Sequence, residues 1–279
     1  MQTVYAYRDD GWMSRRTRWR PRRVLCTELA DHSDKPGVTY VVKFRQGRVG
    51  TAALISELVC TKLLAAGGVL VLDPRLVHVS REFAASYVTK AEIPYTIEVG
   101  LHFGTVLLSA VEDGPPPNVE VVAEPQDVVD IWAFDSWFCN IDRNNHGNLL
   151  LSGGEHGRFR LIAADQSDCF CGAGYFADGS WRKKFETSRP AETVQFWQAA
   201  IVNAGGVAAL QSAVAKVRAA SSRVDEAIAA VPPAWWKLAG VDPRLIKGAL
   251  DARLRRLPDI LRIEQWEGLD DVIKDGHLF

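Results

Sequence analysis

From Asn140 to Asn148 the chain reads Asn-Ile-Asp-Arg-Asn-Asn-His-Gly-Asn, a run dominated by carboxamides with one carboxylate, Asp142, and one guanidinium, Arg143. Ahead of it, Trp132, Phe134, Trp137 and Phe138 recur at helical spacing. Behind it come Leu149, Leu150 and Leu151. A polar loop gripped between two apolar elements presents chemistry on a rigid frame. A second apolar stretch, Arg160 to Ala164, ends in another acid, Asp165. These types suit two tasks. Asp142 can orient or deprotonate a hydroxyl, and Asn148 with Asp165 can hold Mg²⁺ against phosphates, since that ion takes few hard oxygen ligands from protein.

A phosphate-handling site also needs a cation, and Tyr40-Val41-Val42-Lys43-Phe44 supplies one inside an apolar strand. A buried ammonium is costly unless something anionic meets it. The alternative is a strand-edge lysine reaching for water. Thr51 to Ala66 then reads as a helix, with Leu54, Ile55, Leu58, Val59, Leu63 and Leu64 apolar and Gly67-Gly68 as its stop. Glu57 sits among those positions. Strand, gap and helix in this order favour a Lys43–Glu57 pair over an exposed glutamate. No glycine-rich phosphate loop precedes Lys43, only Gly37, so backbone amides or the His32 and Ser33 side chains, between the strands Val24–Thr27 and Val38–Phe44, are the expected phosphate cover.

Those elements need a body. The 279 residues allow one two-lobed domain or two small ones, and a hydrophobic content of 47% supports a sizeable core. A net charge of -1 gives no general affinity for polyanions. Arg15, Arg16, Arg18, Arg20, Arg22 and Arg23 crowd around Trp19, a pattern that can bind nucleic acid. With overall charge balanced, a solvated, partly extended strand is the preferred reading. No apolar run reaches the roughly eighteen residues of a membrane span, and the N-terminus carries no signal pattern. The five cysteines, Cys26, Cys60, Cys139, Cys169 and Cys171, are expected to be buried reduced thiols of a cytoplasmic protein, and Cys169-Phe170-Cys171 lacks zinc-ligand spacing.

Further elements follow from pattern. Val69–Leu72, Arg75–Val79 and Gly100–Leu108 read as strands. The hinge is expected either at the end of the last of these or in the Glu112–Asn118 loop with its Pro115-Pro116-Pro117 break, with Leu107 to Glu112 as the bracket for contacts to a nucleotide base. His102 reads as a structural polar group. Asp127–Cys139 is helical. Leu149–Leu151 and Phe159–Ala163 form a hairpin turning at residues 153–157. Helices are expected over Pro190–Asn203, Val207–Ala230 and Pro243–Leu257, with a break at Pro232–Trp236 and an acidic tail from Trp266.

The ordered set Lys43, Glu57, Asn140-x-Asp142-Arg143, Asn148 and Asp165 resembles the landmarks of the HipA-like kinases, a short bacterial branch in particular. Gly100-Leu-His-Phe-Gly104 and Val231-Pro-Pro-Ala-Trp235 add to the likeness, which runs from about Val38 to about Leu257. It implies an α+β, two-lobed protein-kinase-like fold: a small β-rich N-lobe with one main helix over residues 1–112, and a larger, mostly helical C-lobe over 113–279. It also implies transfer of the ATP γ-phosphate to a hydroxyl of a protein Ser/Thr or a small molecule. Asp142 is then the base, Asn148 and Asp165 the Mg²⁺ ligands, Lys43 the phosphate contact positioned by Glu57, and Arg143 a support for Asp142 or for the leaving charge. Two departures stand out. Asn148 lies six residues after Asp142 where five is usual, so Asn145 is a competitor for its role, and Gln166-Ser167 follows the second acid where a glycine is common. Three other readings stay open: a catalytically silent nucleotide-binding module, a small-molecule kinase, and a nucleic-acid binder working through the Arg15–Arg23 cluster.

Overall fold

The structure is a computed structural model that describes residues 1–13, 20–32, 36–88, 97–108, 111–113, 119–145, 147–155, 157–188 and 195–267. It is a mixed α+β protein with a β-rich N-terminal region and a helical C-terminal region. Five strands, β1 (Thr3–Trp12), β2 (Arg22–Thr27), β3 (Val38–Lys43), β4 (Pro74–Val79) and β5 (Gly100–Val106), close into a barrel in the order β1-β2-β3-β5-β4. Every neighbouring pair is antiparallel except β1 with β4. Alternation fills its interior: Val4, Ala6, Val24, Cys26, Tyr40 and Val42 point in and form one core with Val77 and Val79.

A long helix, α1 (Gly47–Ala66), follows β3, and α2 (Arg81–Val88) follows β4. Among the described residues α1 is the one unbroken helix long and apolar enough to cross a membrane, and its apolar length is used instead in packing. Leu54, Ile55, Leu58, Val59, Leu63 and Leu64 join the second, larger core, which is otherwise built mostly from the C-terminal half. There α3 (Pro125–Phe138) contributes Trp132, Phe134, Trp137 and Phe138. Beside it lies a three-stranded sheet of β6 (Val111–Asp113), β7 (Leu149–Glu155) and β8 (Arg158–Ala163). The remaining helices are α4 (Ala173–Asp178), α5 (Trp181–Thr187), α6 (Gln195–Asn203), α7 (Val207–Ser221), α8 (Val224–Ala229), α9 (Pro233–Ala239), α10 (Pro243–Arg255), α11 (Leu257–Ile260) and α12 (Ile263–Glu267).

Four expectations need correction. Val69–Leu72 is not a strand: only Val71 bridges, in parallel, to Ala163, and the Ala163 N–H donates to the Leu70 carbonyl at 2.9 Å. The helix expected over Val207–Ala230 breaks after Ser221, where the Ser221 and Ser222 hydroxyls donate to the Arg218 and Ala219 carbonyls, a competition serine often offers a helix. Pro232-Pro233 starts α9 rather than ending order, because a proline costs nothing in a helix's first turn. The helix expected over Pro243–Leu257 ends at Arg255, with Pro258 seated in the first turn of the short helix that follows. The expected turns at residues 33–35 and 114–118, the start of the Pro190 helix and most of the acidic tail lie outside the described residues.

Candidate functional site

Register places Lys43. Val42 faces the barrel core, so Lys43, one residue on, faces the opposite side, toward α1. There its ammonium is paired with the Glu57 carboxylate and lies 2.7 Å from Asp165 Oδ1. Glu57 Oε2 also accepts the Gln166 backbone N–H at 2.8 Å. Asp165 has left-handed backbone, φ 51°, just beyond β8. It is held by Ser167, whose hydroxyl and N–H donate to Oδ1 at 2.5 and 3.2 Å. Residues distant in sequence thus meet in one ionic cluster.

Electrostatics in the cluster follow from burial and pairing. Burial works against the Lys43 charge, but Asp165 and Glu57 outweigh it and raise its pKa above the ordinary value. Burial pushes Glu57 up to about 7 even with Lys43 beside it. Burial likewise opposes ionisation of Asp165, yet Lys43 and then Ser167 win, holding that carboxyl well below the usual range.

The polar loop hangs from the end of α3. Cys139 caps that helix in left-handed backbone, φ 52°, and its N–H donates to the Asp135 carbonyl, as does that of Asn140 at 2.9 Å. Asn140 Nδ2 reaches Asp135 Oδ1 at 3.1 Å, while its Oδ1 accepts the Asp142 N–H at 3.0 Å. Asp142 is half-buried. Its Oδ1 accepts from Asn145 Nδ2 and its Oδ2 from Asn148 Nδ2 at 2.9 Å. The extra residue between Asp142 and Asn148 is absorbed by two successive turns, Asn145 N–H to the Asp142 carbonyl and Asn148 N–H to the Asn145 carbonyl. So Asn148 reaches Asp142 despite the longer loop.

The β7–β8 hairpin brings the two halves together. Leu149 pairs with Ala163, and the Ala164 N–H donates to the Asn148 carbonyl at 3.0 Å, which leaves Asn148 and Asp165 at adjoining strand ends. With Asn148 Nδ2 given to Asp142, its Oδ1 and the Asp165 carboxylate are the hard oxygens that could hold a dication. Among the described residues no group of three or more His, Cys, Asp or Glu gathers into an all-protein metal cage. Two protein oxygens with room for phosphate and water suit Mg²⁺.

Arg143 does something different from what the sequence reading expects. It does not steady Asp142 through its side chain; its guanidinium turns inward and is buried. Nε and Nη2 take Asp135 bidentately at 2.7 and 3.0 Å, Nη2 also reaches Gln166 Oε1 at 2.6 Å, and Nη1 binds the Asn148 and Ala164 carbonyls. It ties α3, the loop and the Asp165 segment into one unit. Asp135 and Gln166 are the partners that spacing alone does not reveal. The available signal is a carboxylate in a run of Trp and Phe, which has to be buried with a countercharge.

His32 is not brought to this cluster. Strands β2 and β3 are antiparallel with Cys26 opposite Val38 and Arg22 opposite Val42, so their connection lies at the far end of β3 from Lys43, roughly 16 Å away at ~3.3 Å per residue. His32 Nδ1 instead meets the Thr27 hydroxyl at 2.7 Å, and its ring packs on Tyr7. Ser33 lies outside the described residues. The connection at the Lys43 end is the one from β1 to β2, since Trp12 pairs with Arg22 and Arg22 with Val42. Within the arginine cluster, Arg22 is buried on Asp9 at 2.8 Å and under Trp12, and Arg23 donates to the Asp10 carbonyl, while residues 14–19 lie outside the described residues. His102 is the structural group expected: Nδ1 accepts the Arg45 N–H and Nε2 meets the Glu98 carbonyl, both at 2.8 Å.

Comparison with known proteins agrees with the geometry. Residues 30–165, the span that ends on Asp165, match the model of the HipA-like kinase family. A solved structure, the Helicobacter pylori proinflammatory kinase CtkA, superimposes with a TM-score of 0.54 at 10% identity, covering 92% of this chain and 94% of that one. The likeness to it is one of fold. No curated protein matches.

Proposed function

With residues 30–165 similar to a HipA-like kinase, we propose that this chain is a two-lobed phosphotransferase that moves the γ-phosphate of ATP to a hydroxyl acceptor. The N-lobe, residues 1–112, carries the barrel and the C-lobe is residues 113–279, with β6 (Val111–Asp113) crossing that boundary to pair with β7. The observation that carries the reading is the ionic cluster of Lys43, Glu57 and Asp165, joined through Gln166 and Arg143 to the loop bearing Asp142 and Asn148.

Positioning and charge stabilisation supply the rate in such chemistry, with little covalent work for the protein. Lys43 holds the phosphates, and Glu57 fixes its direction. Asp142, turned by Asn148 and Asn145, orients the acceptor hydroxyl and takes its proton. Asn148 and Asp165 would hold a magnesium ion, which would supply charge neutralisation on the transferred phosphate. Arg143 is a positioning residue, acting through Asn148 and the Asp165 segment. The acceptor is a protein Ser/Thr or a small molecule.

A second reading, a nucleotide-binding module without turnover, is favoured by one observation: both Asp142 carboxylate oxygens already accept hydrogen bonds. Turnover separates the two. ATP consumption and autophosphorylation in Mg²⁺ are measured for the wild type and for Asp142→Ala. The phosphotransferase reading expects transfer in the wild type and a fall of ~10²–10⁴ in the variant, with nucleotide affinity nearly unchanged. A variant keeping more than about a tenth of the rate removes Asp142 from the role. Binding without consumption selects the silent module.

A further inference from the structure

Four of the five cysteines pack around the candidate site in two pairs, Cys139 with Cys171 and Cys60 with Cys169, and no role proposed above uses them. The first pair differs from the second. Cys139 caps α3 directly ahead of Asn140, and Cys171 lies six residues after Asp165. The Cys171 thiol donates to the Cys139 sulfur across 3.2 Å. Backbone bonds fix the approach: Phe170 N–H to the Phe138 carbonyl at 2.8 Å and Cys171 N–H to the Cys139 carbonyl at 3.1 Å. Cys139, Phe170 and Cys171 all have left-handed backbone, with φ of 52°, 57° and 66°. Such conformations persist in non-glycine residues only where the surroundings impose them.

We propose that Cys139 and Cys171 are an oxidisable dithiol, a site of reversible disulfide formation by hydrogen peroxide.

The surroundings assign the two partners different parts. The hydrogen bond from Cys171 lowers Cys139 to about 7 against the opposing effect of burial, with help from the Arg253 guanidinium and Ser188. Cys139 is therefore the more readily ionised partner, and Cys171, raised by that same bond and by burial, is the proton donor. Arg253 is itself buried and anchored on the Ser136 carbonyl at 2.6 Å and the Ser188 carbonyl at 2.8 Å, so the cation is fixed beside the pair. Cys60 and Cys169 have the opposite setting, with burial pushing both thiols up. The thiolate is the nucleophile, so Cys139 is favoured over the other thiols, and with both sulfurs buried the oxidant has to be as small as hydrogen peroxide.

The chemistry balances. The Cys139 thiolate attacks one peroxide oxygen, the O–O bond breaks, and after protonation a sulfenic acid and one water result. The Cys171 sulfur then attacks the sulfenic sulfur, the S–S bond forms, the S–O bond breaks, and a second water leaves with the Cys171 proton. Two thiols lose two electrons and two protons, and the peroxide is reduced to water. The sulfurs need approach by only about 1 Å, given a bond of ~2.0 Å. The bond would tie the start of the Asn140–Asp142 loop to the segment beyond Asp165. The site itself does not depend on the phosphotransferase reading.

The test uses the full chain. It is treated with near-stoichiometric hydrogen peroxide at neutral pH, unfolded, alkylated, digested and mapped by mass spectrometry, with a dithiothreitol-treated half as control. The expected product is a Cys139–Cys171 cross-link, with Cys26, Cys60 and Cys169 alkylated and the cross-link lost in the control. In Cys171→Ser the second step is blocked, so a sulfenic acid accumulates at Cys139 and is trapped by dimedone. Five alkylated thiols after treatment, a cross-link between another pair, or oxidation of single cysteines to sulfinic acid in the wild type would each overturn the proposal. The wild-type map decides even if the variant does not fold.

Discussion

Replacing Arg143 with methionine tests whether the guanidinium holds the site together or merely lies beneath it. Arg143 and Asp135 have side-chain exposures of 4% and 3%, and their bidentate pair is supplemented by two carbonyls and Gln166. Breaking a buried pair from one side leaves the other charge uncompensated, which costs ~3–5 kcal/mol. Asn140 Nδ2 still donates to Asp135 but carries no charge. Against a typical total of ~5–15 kcal/mol, Arg143→Met should leave the protein marginal. Urea denaturation followed by tryptophan fluorescence gives the loss directly. A double-mutant cycle with Asp135→Leu gives the coupling: the double variant should be more stable than the summed single losses by ~2 kcal/mol or more. Recovery is incomplete because the Ala164 carbonyl loses its donor, whereas the Asn148 carbonyl keeps the Ala164 N–H. A single-variant loss under ~1 kcal/mol, or strict additivity in the cycle, would refute the claim that Arg143 organises the site.

Calorimetric titration of ATP should show tighter binding with Mg²⁺ than without in the wild type, and no such difference in Asp165→Asn; equal affinities in all four experiments would defeat the metal assignment. The buried His102, held by desolvation at about 3 rather than 6.5, should make the protein acid-sensitive. A depressed folded value gives stability that is present above pH 6.5 and lost as pH falls toward 3, at about 1.4 kcal/mol per pH unit. His102→Gln should flatten the stability profile in that window by about one proton, and an unchanged slope would count against it. Gly67→Ala should destabilise by ~1–3 kcal/mol, because its Cβ would lie 2.2 Å from the Phe134 ring, and thermal unfolding at wild-type temperature would refute that clash.

The Lys43–Glu57 pair was legible because a lysine in a valine strand and a glutamate in a leucine helix each demand a countercharge once buried. The polar loop was legible from the two apolar elements that grip it, and the hairpin of Leu149–Leu151 with Phe159–Ala163 from two apolar runs around a glycine-rich turn. The places where the reading failed depend on direction rather than spacing. Whether His32 or the β1–β2 connection lies at the Lys43 end is decided by which way β3 runs, and no residue type between Val24 and Phe44 encodes that. Arg143 turned inward because Asp135 sits on the buried face of α3, eight residues back across a helix cap. Strand β1 was blurred by Arg8, Asp9 and Asp10, whose partners are Asp10, Arg22 and Arg23 rather than water alone.

The packing of α1 limits how this protein could be switched. The helix carrying Glu57 lies against α4, α7, α8 and α9, and Arg48 near its start binds the Ala239 carbonyl at 3.0 Å. Its buried Leu54, Ile55, Leu58, Val59, Leu63 and Leu64 represent on the order of 10 kcal/mol of burial, comparable to the net stability of a whole domain. A lever that swings the whole helix away from β3 would have to expose part of that surface, so rigid displacement of α1 is a costly way to part Glu57 from Lys43. An effector that competes for Lys43, or that alters the loop across from it, leaves α1 packed and avoids that cost.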